Sequence, residues 1–449
     1  MLAQIFHLFL PLFLSVHKSE GSCYAKYMHI FFSGIGGVGI GPLSQIAKQL
    51  GYKVSGSDLH PSRFTDSLQA KGIDIHCGPQ TEEQIAKVHK ENPIDWFVYS
   101  SALPLQNPDH EELKFVDKNG IKSTKRDEFL NHILEENGTK MLAIAGTHGK
   151  TTTTAMCVWL LGQLGKIPFG YSVGGKLPFA EIASIDEGAK WFVYEADEFD
   201  RNFLAFHPGI SIITGVAYDH HEVYPSEDNY NQAFVDFLSQ SQNAYLWPED
   251  IKKLGRISVG YAISSVLPGI NLLGEINRRN ASQAVTAVAR LSGEPEQKLI
   301  DIVNEFPGVS RRFEYIDSNL VTDYAHTPEK IAGCIGLARE LNKPIVVVHE
   351  PLTNRRQHYI KDEYKDLFKG VSKLYWVPSF MAREDASLEI LEPSDLIEYM
   401  DNKEIAQPAM LDAQLKDSIK AHLEAGDLVV CMSGGGVNSL DDWLHQNFG

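Results

Sequence analysis

Three times in this chain an apolar run of β-forming residues ends in a glycine turn and gives way to a helical or turn-rich pattern. "MHIFFS" leads into "GIGGVGIG" and "PLSQIAKQLG", "KMLAIAG" into "THGKTTTT", and "DLVVCMS" into "GGGVNS". Strands this apolar have no face for water, so helices must cover them on both sides, which is the situation of a parallel sheet. Further β-type runs, among them "YKVSGSD", "WFVYSSAL", "KWFVYEADEFD", "GISIITGVAYDHHEVY", "PIVVVHE" and "KLYWVPS", alternate with helical patterns. The expected fold class is α/β, in three units. The polar stretch "LEENGTK" closes the first unit near residue 137, and Pro307 with Gly308 closes the second. A length of 449 residues suits about three domains of ordinary size.

The first turn carries Gly34, Gly36 and Gly39 in the pattern G-x-G-x-x-G, after a strand and before a helix. Such glycines let the backbone approach a diphosphate at a helix N-terminus. Asp58, at the end of the next strand, is placed to reach a ribose hydroxyl. The pattern marks residues 28–137 as a Rossmann-like domain without saying which diphosphate it holds, and by itself it suggests a nicotinamide dinucleotide.

The second turn is more specific. In "GTHGKTT" the backbone N–H groups of Gly146, Thr147, His148 and Gly149 would cradle phosphate, and Lys150 would reach the β and γ oxygens. The Thr151 hydroxyl, followed by Thr152 at the helix start, would hold Mg²⁺. Ile144 stands where the general G-x-x-x-x-G-K-[ST] loop has its first glycine. Residues 138–308 are therefore expected to form a P-loop ATPase-like parallel sheet that binds a triphosphate. Downstream, "VYEADEFD" ends a strand in Glu195, Asp197, Glu198 and Asp200. Glu195 suits a Mg²⁺ ligand, because that ion takes a few carboxylates with water and phosphate oxygens. Asp197 or Glu198 reads as part of a solvated acidic turn, and Lys150 as a residue of an exposed loop. "DHHEVY" adds His220 and His221 after another apolar strand. Residues 309–449 form a second Rossmann-like unit.

The remaining bulk properties exclude rather than assign. A net charge of −17 gives no basic face for wrapping nucleic acid. The five cysteines lie far apart with no C-x-x-C pair, which fits a reducing cytoplasm. "MLAQIFHLFLPLFLSV" falls short of the roughly 20 apolar residues of a spanning helix. Pro11 interrupts it, and no Lys or Arg precedes it. Residues 1–27 are expected to be an upstream extension, with Met28 as the working start. No stable membrane insertion is expected, and the chain should act as a monomer or homodimer.

The ordered set "GIGGVG", "GTHGKTTTT", "EADE", "DH", "NRRNASQA", "FPGVSRRFE" and "DYAHTP" resembles the Mur ligase family of peptidoglycan synthesis, from Met28 to the C-terminus. The loop without its first glycine is that family's own form. The resemblance implies a cytoplasmic, ATP- and Mg²⁺-dependent ligase that joins a small amino acid, L-alanine above others, to UDP-N-acetylmuramate. Gly34, Gly36, Gly37, Gly39, Asp58 and the "SSA" at Ser100, Ser101 and Ala102 would hold the UDP-sugar. Lys150 and Thr151 would bind phosphate and metal, with Glu195 and His220 as further ligands. Asn280 would contact adenine, Arg312 the γ-phosphate, and Asp323 with His326 the nucleotide and amino-acid side.

The chain departs from the family's pattern at three places. Ile276 replaces a histidine before Asn280, and Gly215 replaces an asparagine before "DH". Leu352 and Thr353 replace the His-Arg pair of the amino-acid segment, leaving Arg356 as its arginine. Within the family, a ligase that recycles a ready-made peptide onto UDP-N-acetylmuramate shares several of these motifs. "DRNFLAFHPGISIIT" is more similar to the alanine-adding members. A nicotinamide-dependent oxidoreductase would leave "GTHGKTT" and "EADE" without a role. Intact Lys150, Thr151 and Glu195 speak against a non-catalytic nucleotide-binding protein.

Overall fold

The computed structural model describes residues 28–449, apart from residues 101, 102, 105, 106, 221, 222, 382, 383 and 386 and the side chains of Arg63 and Asp200. What was expected of residues 1–27, Ser101, Ala102 and His221 lies outside the described residues. The described residues form three sheets, one for each glycine turn, so the α/β expectation holds.

The first sheet contains β1 (His29–Ser33), β2 (Lys53–Asp58), β3 (Asp74–Cys77), β4 (Trp96–Tyr99) and β5 (Lys122–Lys125), all parallel, in the order β3-β2-β1-β4-β5. The chain works outward from β1 through β3 and then crosses to β4 on the other side. That reversal opens a crevice at the carboxyl ends of β1 and β4. Ser33 pairs with both Ser57 and Tyr99, so the turn at Gly34 and the chain at Ser100 emerge level with each other. Helix α1 (Ile40–Gln49) starts directly from the turn.

The second sheet contains β6 (Lys140–Ala145), β7 (Phe169–Ser172), β8 (Ala183–Ile185), β9 (Trp191–Glu195), β10 (Ile210–Ile213), β11 (Asn243–Leu246) and β12 (Gly260–Ile263). Its order is β12-β11-β10-β6-β9-β7-β8. The strands are parallel except β8, which runs antiparallel to β7 at the edge. An exposed edge is a template for unwanted pairing. Here α1 of the first unit packs on β8. The Gln45 side chain donates to the Ala183 carbonyl at 2.7 Å, and Gln49 Oε1 accepts from Ile185 N at 3.0 Å. The first two units also share one hydrophobic cluster.

Helix α2 (Lys150–Leu164) leaves the loop after β6, and buried residues face several directions around it. A helix buried on more than one side needs a second helix over it. Helix α3 (Glu275–Ser292) packs there.

The third sheet contains β13 (Glu314–Asp317), β14 (Leu320–Asp323), β15 (Ile345–Glu350), β16 (Lys373–Trp376), β17 (Ala406–Pro408) and β18 (Leu428–Ser433), in the order β13-β14-β18-β15-β16-β17. Only β13 runs antiparallel to its neighbour. Helix α4 (Pro328–Glu340) follows β14 and helix α5 (Asn354–Ile360) follows β15. The core of this unit belongs almost wholly to itself. Arg278 and the Gly274 N–H tie it to the second unit through Glu340, at 3.1 and 3.0 Å. Among the described residues no helix is long and apolar enough to cross a membrane.

Candidate active site

A cleft of about 230 Å³ lies between the second and third units. Residues 147–152, Glu195 and Asn280 form one wall, with Arg312, Asp323, Glu329 and Lys330 on the other. Parallel pairing explains the first wall: Ile144 of β6 is level with Glu195 of β9, and Ala145 with Ile213 of β10. The loop after β6 therefore opens between the ends of its two neighbours.

The loop is held by its surroundings. Thr147 N donates to the Gly215 carbonyl at 2.9 Å, so this N–H is taken up by the protein and, against expectation, does not face a phosphate; the Thr147 hydroxyl donates to the Ala217 carbonyl at 2.7 Å, and Thr214 bonds the His148 carbonyl. Gly146 and Gly149 have φ of +136° and +83°. A side chain at Gly149 would also come within 2.7 Å of Asn280 Oδ1. Asn280, 3% exposed, thus packs against the loop itself, while Ile276 lines the cleft from the preceding turn of α3 and is 43% exposed.

Thr151 and Glu195 meet: the hydroxyl donates to Oε1 at 2.9 Å, and Oε2 accepts from Gly174 N at 2.8 Å. Burial raises the Glu195 carboxyl, against the opposing pull of the Lys150 charge. His220 stands elsewhere, 3.6 Å from Glu198 through Nε2, with φ of +57°. Among the described residues no group of three acidic, histidine or cysteine side chains gathers at one point.

Two expectations are corrected here. Glu198 is not solvated; its side chain is fully buried. Lys150 is not free on an exposed loop; its ammonium donates to Glu198 Oε2 and to the Gly146 carbonyl, both at 2.6 Å. Tyr230 donates to Glu198 Oε1 at 3.4 Å, and Tyr224 to its backbone carbonyl at 2.5 Å. Nothing in "EADE" announces this, because the partners come from residues 150, 220, 224 and 230.

On the far wall, Asp323 ends β14 and accepts from Phe313 N at 2.7 Å, which fixes the turn carrying Arg312. Arg311 beside it is a structural residue, bonded to the Ser433 and Gly435 carbonyls at 2.8 and 2.9 Å. His326 Nδ1 lies 2.7 Å from the Tyr324 carbonyl. A carbonyl only accepts, so Nδ1 carries the proton and Nε2 keeps its lone pair. Burial, then the Lys330 and Arg356 charges, press the His326 imidazolium well below its ordinary range. His326 is therefore a neutral acceptor.

Arg356 sits half-buried on α5. Thr353 caps that helix, its hydroxyl accepting from Arg356 N at 3.3 Å, and Leu352 bridges to Phe380. The substituted pair thus builds the support of Arg356. Burial would raise the Asp219 carboxyl, but the charges of His220, Arg356 and Lys330 lower it, so these groups converge.

In the first unit, Gly36 N donates to Asp58 Oδ2 at 2.8 Å. Gly37 N turns back to the Gly34 carbonyl at 2.9 Å, and Ser100 follows β4 across the crevice. Arg126, which the sequence did not single out, lies directly over Gly39, where any side chain would collide with its guanidinium. A basic residue just after a strand is too common a feature to have marked it.

Comparison with known proteins finds matches along most of the chain. The model for the Mur ligase family, catalytic domain, matches residues 29–137, and that for the Mur ligase middle domain matches residues 144–254. The UDP-N-acetylmuramate–L-alanine ligase of Lactobacillus acidophilus is 28% identical over 90% of this chain and 97% of its own length. That of Flavobacterium johnsoniae is 29% identical over 93% and 98%. The crystal structure of the UDP-N-acetylmuramate-alanine ligase of Thermotoga maritima superposes with a TM-score of 0.68 at 23% identity, over 91% of this chain and 96% of that one. A murein peptide ligase from Psychrobacter arcticus gives 0.61 at 22% identity, over 94% and 98%. At these identities the structural matches speak for the fold.

Proposed function

The chain belongs to the Mur ligase family, and we propose that it uses ATP to join L-alanine to the lactyl carboxylate of UDP-N-acetylmuramate. A carboxylate is a poor acyl donor because its leaving group would be oxide. Transfer of the γ-phosphoryl group onto it gives an acyl phosphate. Amine attack then forms the amide and expels phosphate.

The observation that carries this reading is the cleft with Lys150, Thr151 and Glu195 on one wall and Arg312 on the other. Phosphoryl transfer needs positioning and charge neutralisation more than covalent help. Lys150 leaves Glu198 for the phosphate oxygens, and Arg312 meets them from the third unit. Thr151 and Glu195, already bonded to each other at the cleft floor, fit Mg²⁺, which takes few protein ligands alongside phosphate and water. His220, 3.6 Å from Glu198, would have to turn away from that carboxylate to join them. The bound ion would screen the charge on the phosphate oxygens.

Residues 28–137 hold the UDP part at the turn of Gly34, Gly36, Gly37 and Gly39, with Asp58 and Ser100 beside it. Residues 138–308 hold ATP, and residues 309–449 bring the amine. The incoming ammonium must shed a proton before its nitrogen can attack; the neutral His326 Nε2 accepts a hydrogen bond from the resulting amine, and Arg356 pairs with the carboxylate of the amino acid. ATP supply places this work in the cytoplasm. L-Alanine is favoured over a ready-made peptide by the relatives that match along nearly their whole length. The test is phosphate release with ATP and UDP-N-acetylmuramate against L-alanine, glycine, L-serine and a tripeptide. Fastest turnover with L-alanine is expected; a preference for the tripeptide would assign the recycling reaction.

A further inference from the structure

We infer that Lys330 is a second cation of the third unit that grips the terminal phosphoryl group, beside Arg312. The inference rests on the reading of the cleft as a nucleoside triphosphate site. Lys330 lies in the first turn of α4, after Pro328 and Glu329. A cation there is misplaced by ordinary rules, because the exposed N–H groups of a helix start repel positive charge. It also lines the cleft together with Lys150 and Arg312.

Its surroundings make the placement more costly still. Burial, then the Arg312 charge, press the Lys330 ammonium down to about 8, with Lys150 and Arg356 adding to the repulsion and Asp219 opposing it. Lys150 has Glu198 as its counter-ion, whereas Lys330 makes no hydrogen bond or ion pair among the described residues. Lys330 and Arg312, two like charges lining one side of the cleft with no ion pair of their own among the described residues, are arranged for an anion that arrives from outside. Lys330 lines the same cleft as Thr151 and Glu195, whereas His326 and Arg356 stand outside that lining. Its ligand is therefore the phosphoryl group rather than the amino-acid carboxylate. Because α4 belongs to the third unit, this contact also draws that unit onto the nucleotide.

The test compares affinity for a non-hydrolysable ATP analogue with affinity for ADP, by calorimetry, in wild type, Lys330→Met and Lys330→Arg. Binding of the analogue by the wild type checks the reading of the cleft on its own. A charge-assisted bond made only to the third phosphate predicts that Lys330→Met loses about 10- to 100-fold for the analogue and less than about 3-fold for ADP. Lys330→Arg should recover most of the loss, and the KM for L-alanine should stay unchanged in both. A parallel loss for analogue and ADP, or none, would overturn the inference. So would a rise confined to the KM for L-alanine. Thermal midpoints of the variants separate misfolding from lost contact.

Discussion

The Lys150 ammonium and the Glu198 carboxylate meet at 2.6 Å beneath the loop that starts α2, and the carboxylate has no exposed surface. A residue expected to serve only phosphate is therefore also the counter-ion of a buried acid. Removing one partner of such a pair leaves an uncompensated charge, at a cost of about 3–5 kcal/mol. Lys150→Ala should thus abolish turnover and lower the unfolding midpoint together. Adding Glu198→Gln should restore much of the stability and none of the activity. Denaturant unfolding of both variants beside phosphate-release assays checks this; a Lys150→Ala protein as stable as wild type would contradict it.

The same pair sets a pH dependence. Burial alone would raise the Glu198 carboxyl, but the Lys150 charge and the bonds from His220 and Lys150 overcome it and hold the group at about 2, against an ordinary 4.5. A depressed carboxyl contributes stability that is complete above its unfolded value and is lost as pH falls toward the folded one. Between about pH 5 and pH 3 the wild type should lose more unfolding free energy than Glu198→Gln. Equal losses would show that the pair does not govern this window.

Gly36 N and Asp58 lock the first glycine turn, and a side chain at Gly36 would come within 2.8 Å of Asp58 Oδ2. Gly36→Ala should raise the KM for UDP-N-acetylmuramate by about 10-fold or more, from the loss of roughly one charge-assisted bond at the site. ATP binding, in another unit, should not change. Separate titrations of the two nucleotides decide the matter.

Arg356 is the arginine left in the amino-acid segment, and α5 with its Thr353 cap presents it. Arg356→Ala should leave a substrate carboxylate unpaired, costing about 2–5 kcal/mol in amine recognition. Thr353→Ala should destabilise the start of α5 by about 1 kcal/mol and raise the same KM slightly. Steady-state kinetics at saturating ATP and UDP-N-acetylmuramate reads both. A wild-type KM in Arg356→Ala would mean another group holds the carboxylate.

Much of this was legible in the sequence because strand, glycine turn and helix are contiguous. Gly34 to Gly39 and Gly146 to Thr152 describe their own local geometry, and parallel pairing then brings Glu195 level with Ile144. Contacts between distant segments were not legible. Glu198 looked like one more acid in a turn because its counter-ion lies 48 residues away. Lys330 drew no reading from the sequence, because the cations that share its cleft, Lys150 and Arg312, lie elsewhere in the chain. Leu352 and Thr353 looked like losses until the β-bridge to Phe380 and the helix cap gave them structural roles.

The central claim is that a carboxylate is activated by phosphoryl transfer in the cleft shared by the second and third units. If so, one carboxylate oxygen of UDP-N-acetylmuramate must leave with the phosphate when the amine attacks. The direct measurement labels the lactyl carboxylate with oxygen-18, supplies ATP, Mg²⁺ and L-alanine, and reads the released phosphate and the amide by mass spectrometry. The account predicts ADP as the nucleotide product, one labelled oxygen in each phosphate, and one retained in the amide. Unlabelled phosphate, or AMP with label in its phosphoryl group, would contradict it.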